Sequence, residues 1–469
     1  MGNADLFRNS TEPGTSPAKS WAELKISGTK TVDNRLGTKN KDRVFKDKYK
    51  IAGRATVRIL TTDGWLLFVT RFTRLFAYGS LSVILVFYLV SLGLSESQSG
   101  LVLTLTLAGD IAVSLYLTTR ADRLGRRRML IVGATLMALA GLAFALTSNL
   151  IYLILAGTIG VISPSGHEVG PFLSIEQASL SHLVPPASRT EVFAWYTLTG
   201  SMATALGALF AGGVTQAFEQ RLMTQMESYR AIVLLYAFLG IVLACLFTRI
   251  SSRIEVNNHP GDEAASRTGS FMGLARSRNV VLKLSALFAL DSFAGGFVIQ
   301  SFAAYWFYLR FGAEPKTLGG IFFWANVFAG ISALLASRLA NRIGLVRTMV
   351  VTHLPSNLLL IAVPLMPTLP LAVLVLLLRF SISQMDVPTR QSYTMAVVEA
   401  GERSAAGGFT GVARTTGAAI SPLLAGILFA RPGLINLPFY IAGTLKVVYD
   451  LLVYFSFRKL RPPEEAGAE

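Results

Sequence analysis

From Trp65 onward the chain is a series of twelve predominantly apolar stretches, each about the 20 residues that an α-helix needs to cross a bilayer core. They fall at roughly 65–92, 99–119, 129–147, 150–180, 193–217, 230–248, 283–309, 317–337, 347–366, 369–397, 407–430 and 435–457. Hydrocarbon offers no partner for a free backbone polar group, so runs of this length are expected to be helices. Only 15% of the 469 residues are charged, against about a quarter in a soluble protein. The expected fold class is therefore an all-α membrane protein. Cys245 is the single cysteine, which excludes a disulfide framework, and none of the four histidines is spaced as a metal pair. No G-x-x-x-x-G-K-[ST] loop and no nucleophile constellation is present, so neither an ATP-driven pump of that type nor an enzyme is expected, and no cofactor or metal.

The net charge of +16 is distributed by topology, and nucleic acid is not expected as a partner. Residues 1–63 hold thirteen Lys/Arg among seven acids with no apolar run, which reads as a largely disordered, solvated tail. The tail lacks the apolar core of a secretory signal, its acids argue against a transit peptide, and Leu6 stands where a myristoylation motif takes Ser or Thr. A polar connector at 249–280, including Asn257-Asn258-His259-Pro260-Gly261-Asp262-Glu263, separates two sets of six spans, 64–248 and 281–458, with a short tail at 459–469. The tail, connector, C-terminus and the loops on their side carry 32 Lys/Arg, whereas the opposite loops carry five. The positive-inside rule then places both termini in the cytoplasm of a cell (plasma or inner) membrane protein.

The two sets of spans repeat each other. Arg120-Ala121-Asp122-Arg123-Leu124-Gly125-Arg126-Arg127-Arg128 follows span 2, and Leu339-Ala340-Asn341-Arg342-Ile343-Gly344-Leu345-Val346-Arg347 follows span 8, displaced by 219 residues. Phe87-Tyr88-Leu89 and Phe307-Tyr308-Leu309 lie 220 apart, and Gly207-Ala208-Leu209-Phe210-Ala211-Gly212 precedes Ser421-Pro422-Leu423-Leu424-Ala425-Gly426 by 214. Three matches in one order at nearly one spacing indicate a duplicated six-span unit. The Asp122-Arg123-x-Gly125-Arg126-Arg127 loop resembles the signature loop of the major facilitator superfamily, and the 6+6 layout with a long connector fits that family over about 65–458. The resemblance implies twelve transmembrane helices in two pseudo-symmetric halves, a monomer moving a small-molecule solute across the lipid bilayer, and a gating role for Asp122, Arg123, Gly125 and Arg126. Asp122 would face the positive end of a neighbouring helix, with the arginines near anionic headgroups.

An ionisable residue at a helix centre costs at least about 2.5–3.5 kcal/mol and is rarely accidental. Span 1 holds Arg71 and Arg74, span 4 His167, Glu168 and Glu176, span 7 Asp291, and span 10 Arg379, Asp386 and Arg390. By the resemblance these four spans line the central path. Asp110 in span 2 and Arg414 in span 11 stand outside that set, and Lys446 and Asp450, four residues apart in span 12, are expected to neutralise each other. The repeat offsets set Arg71 opposite Asp291 and Glu176 opposite Arg390, so those pairs are expected to meet across the pseudo-twofold axis, with an Arg74–Asp110 pair as the competing arrangement.

Ser163-Pro164-Ser165-Gly166-His167-Glu168-Val169-Gly170-Pro171 should break span 4 near mid-membrane, and Asp386-Val387-Pro388-Thr389-Arg390 should kink span 10 at a similar level. Broken helices mark binding sites in many transporters. Glu168 and His167 beside the break, with Glu176 in the same span, are the foremost candidates for handling a proton as the coupling ion. Tyr305, Trp306, Tyr308, Trp195 and Tyr196 read most simply as interfacial belt residues. The leading expectation is proton-coupled efflux of a small organic solute by alternating access. Uptake or facilitated diffusion of an anionic metabolite, through Arg71, Arg74 and Arg379, stays open, as does a non-transporting sensor or scaffold.

Topology gives the first prediction. Tags in the 249–280 connector and at both termini should be protected from outside labelling, whereas a tag at 218–229 should label. Labelling of the connector from outside would overturn the twelve-span count and the orientation together.

Overall fold

The computed structural model describes residues 60–168, 170–185, 189–221, 223–255, 276–399, 402–458 and 460, without the side chains of Asp122, Arg123, Arg189, Thr190, Glu191, Ser337, Asn341, Arg403, Ser404 and Ala405. Residues 1–59 of the expected basic tail, most of the connector and the last nine residues therefore lie outside the described residues, while Thr62 and Asp63 already belong to the first helix.

All regular structure among the described residues is helical. The N-terminal half comprises α1 (Thr62–Ser91), α2 (Glu96–Leu124), α3 (Arg126–Leu146), α4 (Leu150–Ile159), α5 (Phe172–Leu183), α6 (Arg189–Glu219) and α7 (Gln225–Thr248). The C-terminal half comprises α8 (Arg278–Gly296), α9 (Gln300–Phe311), α10 (Pro315–Ile343), α11 (Leu345–Ala362), α12 (Leu369–Ser383), α13 (Asp386–Ala396), α14 (Arg403–Phe429) and α15 (Leu437–Phe457). Eleven spans are long and apolar enough to cross a membrane, and the shorter apolar helix Leu150–Ile159 begins the remaining one. Span 4 is α4 plus α5, span 7 is α8 plus α9, and span 10 is α12 plus α13. The breaks in spans 4 and 10 were signalled by proline; the one in span 7 follows Gly295-Gly296.

Local chemistry sets the helix ends. Ser95 and Thr224 each form a capping box, with Gln98 and Glu227 respectively. Gly125, between α2 and α3, and Gly344, between α10 and α11, have φ of 101° and 86°. Only glycine adopts such values without strain. The two residues lie at the repeat spacing, so the duplicated sequence has a duplicated backbone turn. We use "basic face" for the end of the bundle that carries these two turns, and "far face" for the opposite end.

The halves meet closely toward the far face. Near the start of α2, Gly100 lies so close to α14 that a Cβ there would sit 2.5 Å from the Pro422 carbonyl oxygen, and one on Gly426 would sit 2.5 Å from that of Glu96. A Cβ on Gly319 of α10 would come within 2.7 Å of the Ala208 carbonyl oxygen on α6. Small residues permit this approach of helix backbones in lipid, where there is no hydrophobic gain in bringing helices together. Side chains complete the contact. The Leu423 N–H donates to Thr104 Oγ1 (2.8 Å), Tyr305 Oη donates to Glu96 (2.8 Å), and Phe87 packs edge-on against Tyr305 and Tyr308.

Gly100→Leu and Gly319→Leu should hold the far face open. Transport should fall by about tenfold or more, as expected if closure is disfavoured by at least about 1.4 kcal/mol. Spin-label distances across the far ends of α2 and α14 should lengthen at normal expression; unchanged distances would refute this closure.

Candidate functional site

The break in span 4 is the organising feature of the N-terminal half. Gly166 and Gly170 take φ of 71° and 79°, which turns the chain out of helix between α4 and α5. Backbone groups released in this way must find partners, since no water is available in hydrocarbon. The Pro164 carbonyl accepts from the backbone N–H (3.3 Å) and Oγ (2.5 Å) of Ser301 on α9, in the opposite half. The Gly166 carbonyl accepts from Thr204 Oγ1 (3.3 Å), that of His167 from Ser163 Oγ (2.7 Å), and that of Val161 from the Tyr236 hydroxyl. The Gly170 N–H donates to Asp110 Oδ1 at 2.6 Å. Ser301 Oγ and Gln300 Nε2 also donate to the Ser82 carbonyl and Oγ on α1, each at 2.8 Å, so this mid-membrane seam joins both halves.

Beside the break sits a four-charge cluster. Arg74 Nη1 and Nη2 donate as a fork to Glu176 Oε1 (2.8 Å) and Oε2 (2.7 Å). Thr70 Oγ1 (3.0 Å) and the Tyr196 hydroxyl also donate to Glu176. Arg71 Nη1 donates to Glu168 Oε1 (2.5 Å), and Arg74 reaches the same carboxylate through Nε (3.3 Å) and Nη2 (3.2 Å). Arg71 lies over the Tyr196 ring at 4.3 Å and Arg74 over Phe172 at 4.6 Å, a contact that suits the weakly hydrated guanidinium. Two cations and two anions balance, and Arg74 and Glu176 are fully buried. Asp110 differs. It is buried, accepts only from the Gly170 N–H and Ser114 Oγ (3.3 Å), and makes no ion pair among the described residues.

The C-terminal half holds a second cluster. Asp291 on α8 accepts from Arg390 Nη1 (2.9 Å) and Lys446 Nζ (2.5 Å). Asp386, in the first turn of α13, lies 3.5 Å from Arg390. His353 on α11 has Nδ1 2.8 Å from Asp450 Oδ1 and Nε2 3.8 Å from Asp291 Oδ1, and Asn357 Nδ2 donates to Asp450 Oδ2 (2.8 Å). Asp291, His353 and Asp386 each bring a ligand atom within 4.8 Å of the others. Lys446 and Arg390 already hold the Asp291 oxygens, and two cations at that point oppose a divalent ion.

Several expected partnerships are corrected. Arg71 pairs with Glu168 and not with Asp291, and Glu176 pairs with Arg74 and not with Arg390. Asp291 instead takes Arg390. Arg74 does not pair with Asp110, whose oxygen is taken by the backbone of the span 4 break. Lys446 and Asp450 do not neutralise each other; Lys446 turns to Asp291 and Asp450 to His353 and Asn357. For the two cross-axis pairs the physical reason is the same. Equal depth across an axis does not bring side chains into reach, whereas spans of one half are in contact, and a buried charge left uncompensated costs several kcal/mol. Three belt assignments are also corrected: Tyr196 is buried against Glu176, Tyr305 is buried with its hydroxyl on Glu96, and Trp306 is fully buried with its indole N–H donating to Asn436 Oδ1 (2.9 Å).

His167 is exposed beside Glu168, and Arg379 on α12 is half-buried. In the signature loop, the side chains of Asp122 and Arg123 lie outside the described residues. Gly125 makes the turn, and the Arg126 and Arg127 N–H groups at the start of α3 donate to Glu255 at 2.6 and 3.2 Å. The carboxylate held at a helix N-terminus is thus supplied here by the connector, a role for which the sequence pointed only to Asp122. His353 and Asn357 carry a weaker signal that the sequence reading missed. It is a polar pair four residues apart, hence on one face, in an otherwise apolar span.

The family model described as the Major Facilitator Superfamily matches residues 67–395. The chain is 31% identical over 436 residues to the uncharacterized membrane protein YJR124C of Saccharomyces cerevisiae, covering 87% of this chain and 95% of that protein. It is 24% identical over 216 residues to a Na(+), Li(+), K(+)/H(+) antiporter of Planococcus maritimus, covering 44% of this chain and 47% of the antiporter. Its fold is similar to the inward-facing, unoccupied crystal structure of a bacterial homologue of the human lysosomal transporter Spinster, with a TM-score of 0.64 at 15% identity, covering 84% of this chain and 94% of that one.

Breaking the Arg74–Glu176 fork should be severe, since removal of one partner of a buried pair costs about 3–5 kcal/mol. Glu176→Gln and Arg74→Gln should each lower the thermal unfolding midpoint, and the swap Arg74→Glu with Glu176→Arg should recover part of it. The swap Arg71→Asp with Asp291→Arg should recover nothing; recovery there would restore the cross-axis pairing.

Proposed function

Because the chain belongs to the Major Facilitator Superfamily and is a transmembrane transporter rather than an enzyme, we propose that it moves a small organic solute by alternating access in exchange for protons, in the direction of efflux, with its basic face toward the cytoplasm. The observation that carries this reading is the separation of roles between charge and contact. The spans 1 and 4 cluster balances its two guanidiniums and two carboxylates within the N-terminal half, and Asp291 is held wholly by groups of the C-terminal half. The halves are joined at mid-membrane and beyond by hydroxyl, amide and glycine contacts and by the Tyr305–Glu96 bond. Such contacts break and reform at about 0.5–1.5 kcal/mol each, and somewhat more where a carboxylate accepts. Two bodies whose ion pairs are closed within each half can rock past each other without breaking an ion pair across the seam.

The antiporter relative supports exchange, and the structure contains a carboxylate suited to it. Glu168 is held by two guanidiniums and is committed to compensating them. Asp110 has only neutral donors, and one is the backbone of the span 4 break. Protonation of Asp110 would weaken its hold on the Gly170 N–H and so free the break to move. We therefore assign the coupling proton to Asp110, with Glu168 keeping Arg71 and Arg74 compensated.

Reconstituted protein should show solute-driven proton movement, followed with a trapped pH-sensitive dye. Asp110→Asn should abolish the proton signal yet retain solute counterflow, while Glu168→Gln should lose both. A full proton signal in Asp110→Asn would place the coupling proton elsewhere.

A further inference from the structure

We propose that the basic-face ends of α3 and α7 form a binding site for one anionic phospholipid. An acyl chain lies in the groove between the two helices, and the headgroup phosphate sits among Arg127, Arg128 and Arg249. The site is on the outer surface of the bundle, so it depends neither on the solute nor on the coupling proton assigned above.

Small residues bring α3 and α7 together. A Cβ on Gly240 would lie 2.7 Å from the Ala138 backbone nitrogen, and one on Gly141 would lie 3.0 Å from the Ala237 Cα. On their outer side the two helices leave a groove of about 380 Å³, lined almost wholly by aliphatic and small side chains. It runs from Ile131 to Leu142 on α3 and from Ala237 to Thr248 on α7. At about 1.5 Å per residue, either stretch is roughly 16 Å long, about half the thickness of the hydrocarbon core. The groove therefore starts at the basic face and has the depth of one leaflet. That is the reach of an acyl chain anchored at this face, and it is too short for a partner helix that crosses the bilayer.

The mouth of the groove is cationic on both helices. Arg128 precedes Ile131 by three residues and Thr135 by seven, and Arg127 precedes Ile131 by four, so both continue the groove face of α3. Arg249, the αR C-cap of α7, follows Cys245 by four residues and Ile241 by eight, so it continues the facing side. Arg128 and Arg249 are exposed and Arg127 is half-buried. None of the three guanidiniums makes an ion pair among the described residues. Glu255, the carboxylate at this turn, is taken by the Arg126 and Arg127 N–H groups. An apolar groove with a cationic mouth matches a ligand that carries a phosphate at one end and a hydrocarbon chain at the other. The planar guanidinium fork suits phosphate, and the excess of positive charge opposes the ammonium of a zwitterionic headgroup. A sterol would leave the arginines unused. Both helices belong to the N-terminal half, so the site moves as one piece and the lipid need not leave during the cycle.

The single cysteine is the probe. Cys245 is exposed and lines the groove, so an occupying chain should shield it. In the purified full-length protein in detergent, palmitoyl-oleoyl phosphatidylglycerol should slow alkylation of Cys245 by N-ethylmaleimide, by about fivefold or more. Phosphatidylcholine with the same chains should not, and native mass spectrometry should show one phosphatidylglycerol retained. Arg128→Gln and Arg249→Gln should each raise the phosphatidylglycerol concentration for half protection by about fivefold. Thr135→Phe, which fills the groove from an exposed position, should abolish retention. The paired variant Arg347→Gln with Arg458→Gln removes two exposed charges from the equivalent helix ends of the C-terminal half and should leave protection as it was. Equal loss in that variant would reduce the effect to net charge and overturn the site. Equal protection by phosphatidylcholine, cholesterol or inorganic phosphate overturns it as well, as does phosphatidylglycerol retention with Cys245 still freely alkylated.

Discussion

A charge inside a bilayer must be compensated by something that moves with it. That constraint accounts for more of this molecule than hydrophobicity does. In a protein of two bodies that rock against each other, a pair drawn across the seam would be broken once per cycle, at a cost of several kcal/mol. The chain avoids this by closing its main ion pairs inside each half, and it does so twice with the same spans. Arg74 of span 1 pairs with Glu176 of span 4, and Asp291 of span 7 pairs with Arg390 of span 10. The duplicated unit has kept the two spans that carry the pair and exchanged its sign. Reversed polarity leaves the two halves chemically distinct at one depth, which a single duplicated gene product would not have been.

Where the halves touch, the chain uses groups whose contacts are inexpensive to exchange. Gly100 against Gly426 and Gly212 against Gly319 bring helix backbones together, and Ser82, Gln300 and Ser301 add neutral hydrogen bonds at mid-membrane. The division is one of stiffness. Ion pairs hold each body rigid, whereas hydroxyls, amides and glycines let the bodies part.

How much of this could be read from sequence follows from whether the signal is local. The spans were legible because each is a continuous run of apolar residues, and their ends agree with the helices to within a few positions. The repeat was legible because Gly125 and Gly344 recur at fixed spacing, and the structure gives both the same unusual φ. The ionisable residues were legible as a set for the reason that a membrane tolerates few of them. Their partners were not, because depth along a helix is encoded in spacing but direction around it depends on neighbours. Asp110 shows the limit most clearly. It sits at the expected depth for Arg74, yet its partner is the Gly170 N–H, a backbone group that becomes available only once span 4 breaks. Lys446 and Asp450 share a helix face, and nearer groups on α8 and α11 claim each of them separately.

The bond between Ser301 and the Pro164 carbonyl has a further consequence. That carbonyl belongs to a broken helix and takes both of its donors from the opposite half. When the halves part along this seam, it loses both together in a region where lipid offers no replacement. Only water entering behind the separating helices can satisfy it, with each bridging molecule immobilised at up to about 2 kcal/mol. Opening of the far face is therefore also a wetting step, and its closure a drying one. Solutes such as sucrose, which are excluded from protein surfaces and withhold water from them, should then bias the resting population toward the dry, far-closed arrangement, tying the transport cycle to the osmotic state of the medium.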